Sequence, residues 1–187
     1  MAKFVTRPVV IVSLVTVLLF IGVEIILRKV WGFGEMVLFQ SDDKFEYIAQ
    51  PNQDRFRFGN RIIYNEYSMR SQPLDGKDQC VILGLGDSVI NGGTLTDHDS
   101  LATTLVENQL NNNLRFLNIS AGSWGPDNCA GYLQKLGDFN ARMIVLFVSS
   151  HDAHDNMTFE NTVGHHEAYP DEQYPLAIVE VFSKYLL

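Results

Sequence analysis

The sequence predicts a parallel α/β domain tethered by a single N-terminal membrane helix. Three observations carry this. Val9 to Leu27 is an apolar run interrupted only by Ser13, Thr16 and Glu24. From Cys80 onward, short apolar runs alternate with helical patterns, as in parallel sheets built with right-handed crossovers. Each of those runs ends in small, polar or ionisable residues, at the sheet edge where parallel α/β domains gather their chemistry.

The N-terminal run comes first. Its 19 residues, at about 1.5 Å each, reach roughly 28 Å, enough to cross a hydrocarbon core. A cleaved signal has a shorter apolar region and a small-x-small site, whereas this run continues into Arg28-Lys29-Val30-Trp31-Gly32-Phe33. Residues 1–30 are therefore expected to be an uncleaved single-pass anchor. Trp31 and Phe33 suit the membrane–water interface, and Glu24 is placed to reach head-groups. Basic residues flank both ends, so charge assigns no orientation.

Charge also limits the partners. Of 14 basic and 22 acidic residues, four bases and one acid lie in the first thirty positions. The remainder holds 10 bases and 21 acids, a net of −11. Such a surface repels phosphate backbones, which excludes nucleic acid as an expected partner and disfavours acidic polysaccharide.

Residues 31–78 read as a lead-in. Positions 34–50 resemble a stalk, with the acidic run Ser41-Asp42-Asp43. Pro51-Asn52-Gln53-Asp54 signals a turn, and Arg55 to Tyr64 around Gly59-Asn60 has the pattern of a β-hairpin with a type II′ turn. Its three arginines are expected on the solvent face.

Residues 79–187 carry the α/β pattern. Cys80 to Leu85, Leu114 to Ile119 and Met143 to Val148 are apolar runs suited to buried parallel strands. Asp99-Ser100 is placed to cap a helix through about Asn111, with Leu101, Leu105 and Val106 on one face. Asp127 to about Leu136 is a second expected helix. Cys80 starts its strand and Cys129 follows the opposite edge. A strand of about five residues spans roughly 17 Å, too far for a disulfide, so two free thiols are expected. Neither cysteine has zinc spacing.

The strand ends hold the chemistry. The first ends in Gly86-Asp87-Ser88, the second in Asn118-Ile119-Ser120-Ala121-Gly122-Ser123-Trp124-Gly125, and the third in Ser149-Ser150-His151-Asp152. A serine becomes a nucleophile when a base takes its proton and donors await the oxyanion. Leu83-Gly84-Leu85-Gly86-Asp87-Ser88-Val89-Ile90-Asn91-Gly92 resembles the first block of the GDSL/SGNH hydrolases, a strand followed by GDSxxxG. The other two strand ends stand where that family's second and third blocks belong. The resemblance covers about seventy residues. It implies a flavodoxin-like three-layer α/β/α fold and a serine esterase, lipase or carbohydrate deacetylase with neither metal nor cofactor. Its substrates would be small-molecule or glycan esters, O-acetylated glycans among them, with the domain outside the cytoplasm. Ser88 would be the nucleophile and its own amide one oxyanion donor. Either Gly122 or Ser123 would supply a second amide.

The sequence departs from that pattern. His151 stands where the family has asparagine; a neutral imidazole N–H can still donate to an oxyanion. The family's late DxxH block, which supplies the base, does not follow the third block, and three of five expected strands are present. The chain is therefore expected to be either a truncated hydrolase or a short form with another base. His154, beside Asp152 and Asp155, is the candidate replacement. His98, His165 and His166 are expected to be solvated. The matches to the glycosylation pattern at Asn118 and Asn156 are expected to be fortuitous, and Trp124 to cover the core.

Overall fold

The computed structural model describes residues 3–74, 80–110, 114–152 and 154–186. The expected helix end at Asn111 and the expected boundary at 78/79 lie outside them. The chain is mixed α/β: one long apolar N-terminal helix, two antiparallel hairpins, and a three-stranded parallel sheet with helices between its strands.

Helix α1 (Lys3–Ile26) continues through a wider π-helical turn at Leu27–Trp31. Pro8 to Trp31 is long and apolar enough to cross a membrane, and none of its most apolar window is buried by the rest of the chain. The helix stops at Gly32, whose φ of +72° puts it in the left-handed region. A Cβ there would sit 2.0 Å from the Phe56 carbonyl oxygen, so only glycine lets the helix exit pass this close to a hairpin.

Strands β1 (Phe39–Asp42) and β2 (Glu46–Ala49) pair antiparallel, as do β3 (Gln53–Arg57) and β4 (Asn60–Tyr64). The expected stalk is thus a hairpin, and it packs inward. Phe45, Tyr47 and Ile48 are buried in the main core beside Trp124, Cys129 and Tyr132. The second hairpin exists, but its turn residues are Phe58 and Gly59, at φ +51° and +85°. Two successive positive φ angles make a type I′ turn, not the expected II′, because Arg57 pairs with Asn60 and the turn is centred on Phe58-Gly59, one residue earlier than Gly59-Asn60. Its arginines do not share a solvent face. Arg61 is exposed on Asp54, Arg55 is half-buried near Glu35, and Arg57 is buried.

The parallel sheet has the order β6-β5-β7, with β5 (Cys80–Gly86) central, β6 (Leu114–Ser120) and β7 (Met143–Leu146) at its sides. Leu83 pairs with Leu117 and Leu85 with Ile119, and all four are buried in the main core. Residues of the other parity, Gly84, Phe116 and Asn118, meet α2 (Ser88–Asn91) and α3 (Ala102–Leu110). Helix α4 (Pro126–Leu136) buries Cys129 and Tyr132 against the core. Cys80 and Cys129 are free thiols, and burial, with Asp152 and Asp127 nearby, pushes Cys129 up to about 12.

Three sequence expectations fail on cover. The strand β7 is not buried: Met143, Ile144 and Leu146 are exposed because no described element packs over this edge strand. Helix α3 starts later than expected, after a short 3-10 turn at His98–Ser100 capped by Asp97, and leaves Leu105 exposed. Finally, His98 is 2 % exposed, not solvated.

Helix α5 (Ala177–Tyr185) closes the described chain. Glu24 accepts the Ala177 and Ile178 amides at 2.8 and 3.0 Å, capping α5 from within α1. Arg28 bonds Glu24 at 2.7 Å and the Pro175 carbonyl at 3.0 Å. Glu24 therefore serves a helix terminus, where four orphan N–H groups need acceptors, and not the head-groups.

Candidate active site

Ser88 is exposed at the carboxyl end of the central strand. The chain turns there because Asp87 caps α2, its carboxylate accepting the Val89 amide at 2.8 Å. The glycines before it are packing requirements. A Cβ on Gly84 or Gly86 would lie 2.9 or 3.1 Å from Ile90, which folds back from α2 over the strand. Gly92 ends the helix at φ +73°.

A side-chain network clamps this turn to the end of β6. The Asn91 amide donates to the Ser120 carbonyl at 3.0 Å and to its hydroxyl at 3.1 Å. The Asn118 amide donates to the Ile90 carbonyl at 2.7 Å, and Ser120 Oγ donates to Asn118 Oδ1 at 2.5 Å. Tyr64 from the second hairpin donates to Asn91 Oδ1 at 3.3 Å. Asn91, Asn118 and Ser120 are buried, so each polar atom must find a protein partner. Asn118 is fully buried and thus out of reach of glycosylation.

The second loop is fixed from the other side. The Gly122 carbonyl accepts the hydroxyls of Tyr47 at 2.8 Å and Tyr169 at 3.2 Å. Burial, then the neighbouring Tyr169, raises the Tyr47 phenol far above its usual range, so it stays a donor. Ser123 is exposed at φ +56°. Trp124 is buried and donates to the Tyr47 carbonyl at 3.0 Å, a core role.

The third loop folds on itself. Buried Asp152 accepts the Ser149 amide at 2.6 Å and its hydroxyl at 3.0 Å, and Asp87 lies 3.4 Å from that hydroxyl. Asp152 is thereby committed to Ser149, and among the described residues no hydrogen bond joins it to His154. His151 and His154 are exposed; their backbones bond within the loop, His154 N to the His151 carbonyl at 2.9 Å.

Ser88, Asn91 and Gly122 line one cavity of about 350 Å³. Its other walls are the helix exit and first hairpin (Met36, Phe39), the second hairpin (Arg57, Phe58, Tyr64), the segment Glu167–Pro170, and Lys184 and Tyr185 of α5. The structure thus brings Ser88 and Gly122 to one cavity. His151, His154 and Ser123 are not on its wall, and among the described residues no hydrogen bond joins Ser88 to a histidine. Sequence reasoning missed Asn91, Tyr47 and Tyr169; the GDSxxxG-like block contains Asn91, but only the fold shows what it holds. Among the described residues no group of three or more His, Cys, Asp or Glu is arranged to hold a metal ion. Comparison with protein-family models, curated proteins and solved structures returns no match.

Proposed function

We propose that this chain is a membrane-anchored serine hydrolase of the GDSL/SGNH type, acting on carboxylic esters, with the cavity as its acyl or alcohol pocket. In this reading the sheet belongs to a flavodoxin-like three-layer fold and the domain faces away from the cytoplasm. O-acetylated glycans are the substrate class the family resemblance suggests. One observation supports it most: an exposed serine at the end of the central parallel strand shares a cavity wall with a glycine from the neighbouring strand end. In such a site Ser88 Oγ attacks the ester carbonyl and its proton passes to a base. The oxyanion is held by the Ser88 and Gly122 amides until the alcohol leaves, and water then releases the acid from the acyl-enzyme.

A second reading, a binding protein on the same fold, is favoured by the absence of histidine from the cavity wall among the described residues. A fluorophosphonate separates the two. The full chain in detergent micelles is incubated with the probe beside Ser88→Ala, each checked for native fold by circular dichroism. Stoichiometric labelling that disappears in Ser88→Ala is expected. A folded chain that stays unlabelled, or labels equally without Ser88, refutes the esterase and leaves the binding protein.

A further inference from the structure

Helix α5 is amphipathic in the reverse of the usual sense. Its inward side carries the charged residues: Glu180 is fully buried on Arg57, and Lys184 is half-buried with its ammonium on the Glu167 carbonyl at 3.0 Å. Its outward stripe is Val179, Phe182, Ser183 and Leu186, spaced i, i+3, i+4 and i+7 on one face. Phe182 is 55 % and Leu186 64 % exposed. A helix facing water turns its charges out and its aromatic residues in, so this stripe faces something apolar.

Its position says what. The N-terminus of α5 is capped by Glu24, inside the apolar helix α1, and the Tyr185 ring packs edge-on against Phe33 at 5.8 Å, just past the exit of α1. Glu24 precedes Trp31 by seven residues, about 10 Å along the helix. An interfacial helix buries its apolar face about 5–10 Å into the boundary between head-groups and acyl chains. Helix α5 therefore packs beside the exposed apolar helix α1, at the depth where a bilayer surface would lie, with its own apolar stripe exposed.

We propose that α5 is an interfacial membrane helix, resting its Val179–Phe182–Leu186 face on the bilayer that α1 crosses. The occupant of this face is lipid. The same helix contributes Lys184 and Tyr185 to the cavity, so docking places the rim of the Ser88 cavity against the membrane surface. This stands on α1 as a membrane span and is independent of the chemistry of Ser88.

The test uses the full chain in phosphatidylcholine vesicles, with Cys80 and Cys129 replaced by alanine. A nitrobenzoxadiazole label is carried by Phe182→Cys, by Leu18→Cys in α1, or by Gln134→Cys on the exposed side of α4. Phe182→Cys is expected to follow Leu18→Cys: quenched severalfold by doxyl-labelled lipid and shielded from aqueous iodide, with Gln134→Cys the reverse. A label at 182 quenched by iodide, or shielded from both quenchers, overturns the proposal; the second outcome means a protein surface covers α5. Iodide quenching at 18 removes the membrane premise and the proposal with it. Because replacing Phe182 or the cysteines can disturb folding, the unaltered chain is also irradiated with diazirine-bearing phosphatidylcholine. Adducts within 176–186 are expected; adducts confined to 8–31 overturn the assignment.

Discussion

The contact between Arg57 and Glu180 invites the most demanding perturbation. The Glu180 side chain is 0 % and that of Arg57 5 % exposed, and they are joined by a very short ion pair. Glu180 also accepts the Gly34 amide at 2.5 Å, while Arg57 donates to the Gly32 carbonyl at 3.1 Å and lies over the Phe33 and Phe58 rings. Removing one charge strands the other away from water. Glu180→Leu leaves a guanidinium with one carbonyl and two ring faces; Arg57→Met leaves a carboxylate with one amide. Breaking a buried pair in this way costs about 3–5 kcal/mol. For a domain of this size each kcal/mol shifts Tm by about 2–4 °C, so a fall of roughly 6–20 °C is expected. The double variant Arg57→Met/Glu180→Leu removes both desolvation costs and is expected to recover most of the loss. Thermal melts of the full chain in micelles report the global effect. Hydrogen exchange across 177–185 reports whether α5 undocks by itself. Single variants that each lose under about 1 kcal/mol, the range of exposed pairs, would refute the buried-pair reasoning. So would a double variant that loses as much as the two singles together.

Three further perturbations test the parts that hold the site. Gly131→Ala should destabilise, measured as a lower denaturant midpoint. Its Cβ would lie 2.2 Å from the Lys44 carbonyl oxygen, and about 1–3 kcal/mol of overpacking outweighs the roughly 1 kcal/mol that alanine gains over glycine in a helix; a higher midpoint would show that α4 and the first hairpin do not touch there. Asn91→Ala should cost about 1–3 kcal/mol by chemical denaturation, since it leaves the Ser120 carbonyl and hydroxyl without their donor. His98 should make stability depend on pH. Burial, then the Arg70 charge and more weakly Arg61, hold its pKa below the usual 6.5, against the opposing pull of Asp99 and Asp97. Among the described residues neither ring nitrogen has a partner. A histidine kept neutral by the fold binds its proton more readily when unfolded. Its contribution is therefore present above about pH 6.5 and lost as pH falls. A denaturant midpoint series in which His98→Met keeps the same acid slope as the parent chain would rule this out.

What the sequence made legible divides by the range of the interactions. The parallel strands, the free thiols, α4 and the position of Ser88 follow from patterns within ten or so residues, such as apolar runs, caps and glycines. The loop contents after each strand were legible for the same reason: a parallel sheet sends every strand end to one edge, so chain order alone gathers Ser88, Gly122 and the Ser149–Asp152 loop. Apart from the hairpin turn type and the start of α3, the misreadings are long-range. Arg57 has an alternating neighbourhood typical of a solvent face, and its partner Glu180 lies 123 residues away. The acidic run at 41–43 disguised a hairpin whose Phe45 and Ile48 enter the core, Phe45 lying 83 residues ahead of the helix residue Asn128 that donates to its carbonyl. His98 sits in a polar run, yet it is buried where β4 and the 3-10 turn meet, a closure no local pattern encodes. Glu24 is the sharpest case. Inside an apolar helix a lone carboxylate suggested snorkelling to head-groups, because its acceptor capacity had no visible use nearby. The amides that use it belong to α5, 153 residues on. The same tertiary contact that local reasoning could not reach also turns the apolar stripe of α5 outward beside α1. The residue that looked incidental to the apolar helix thus fixes how α5 sits against α1.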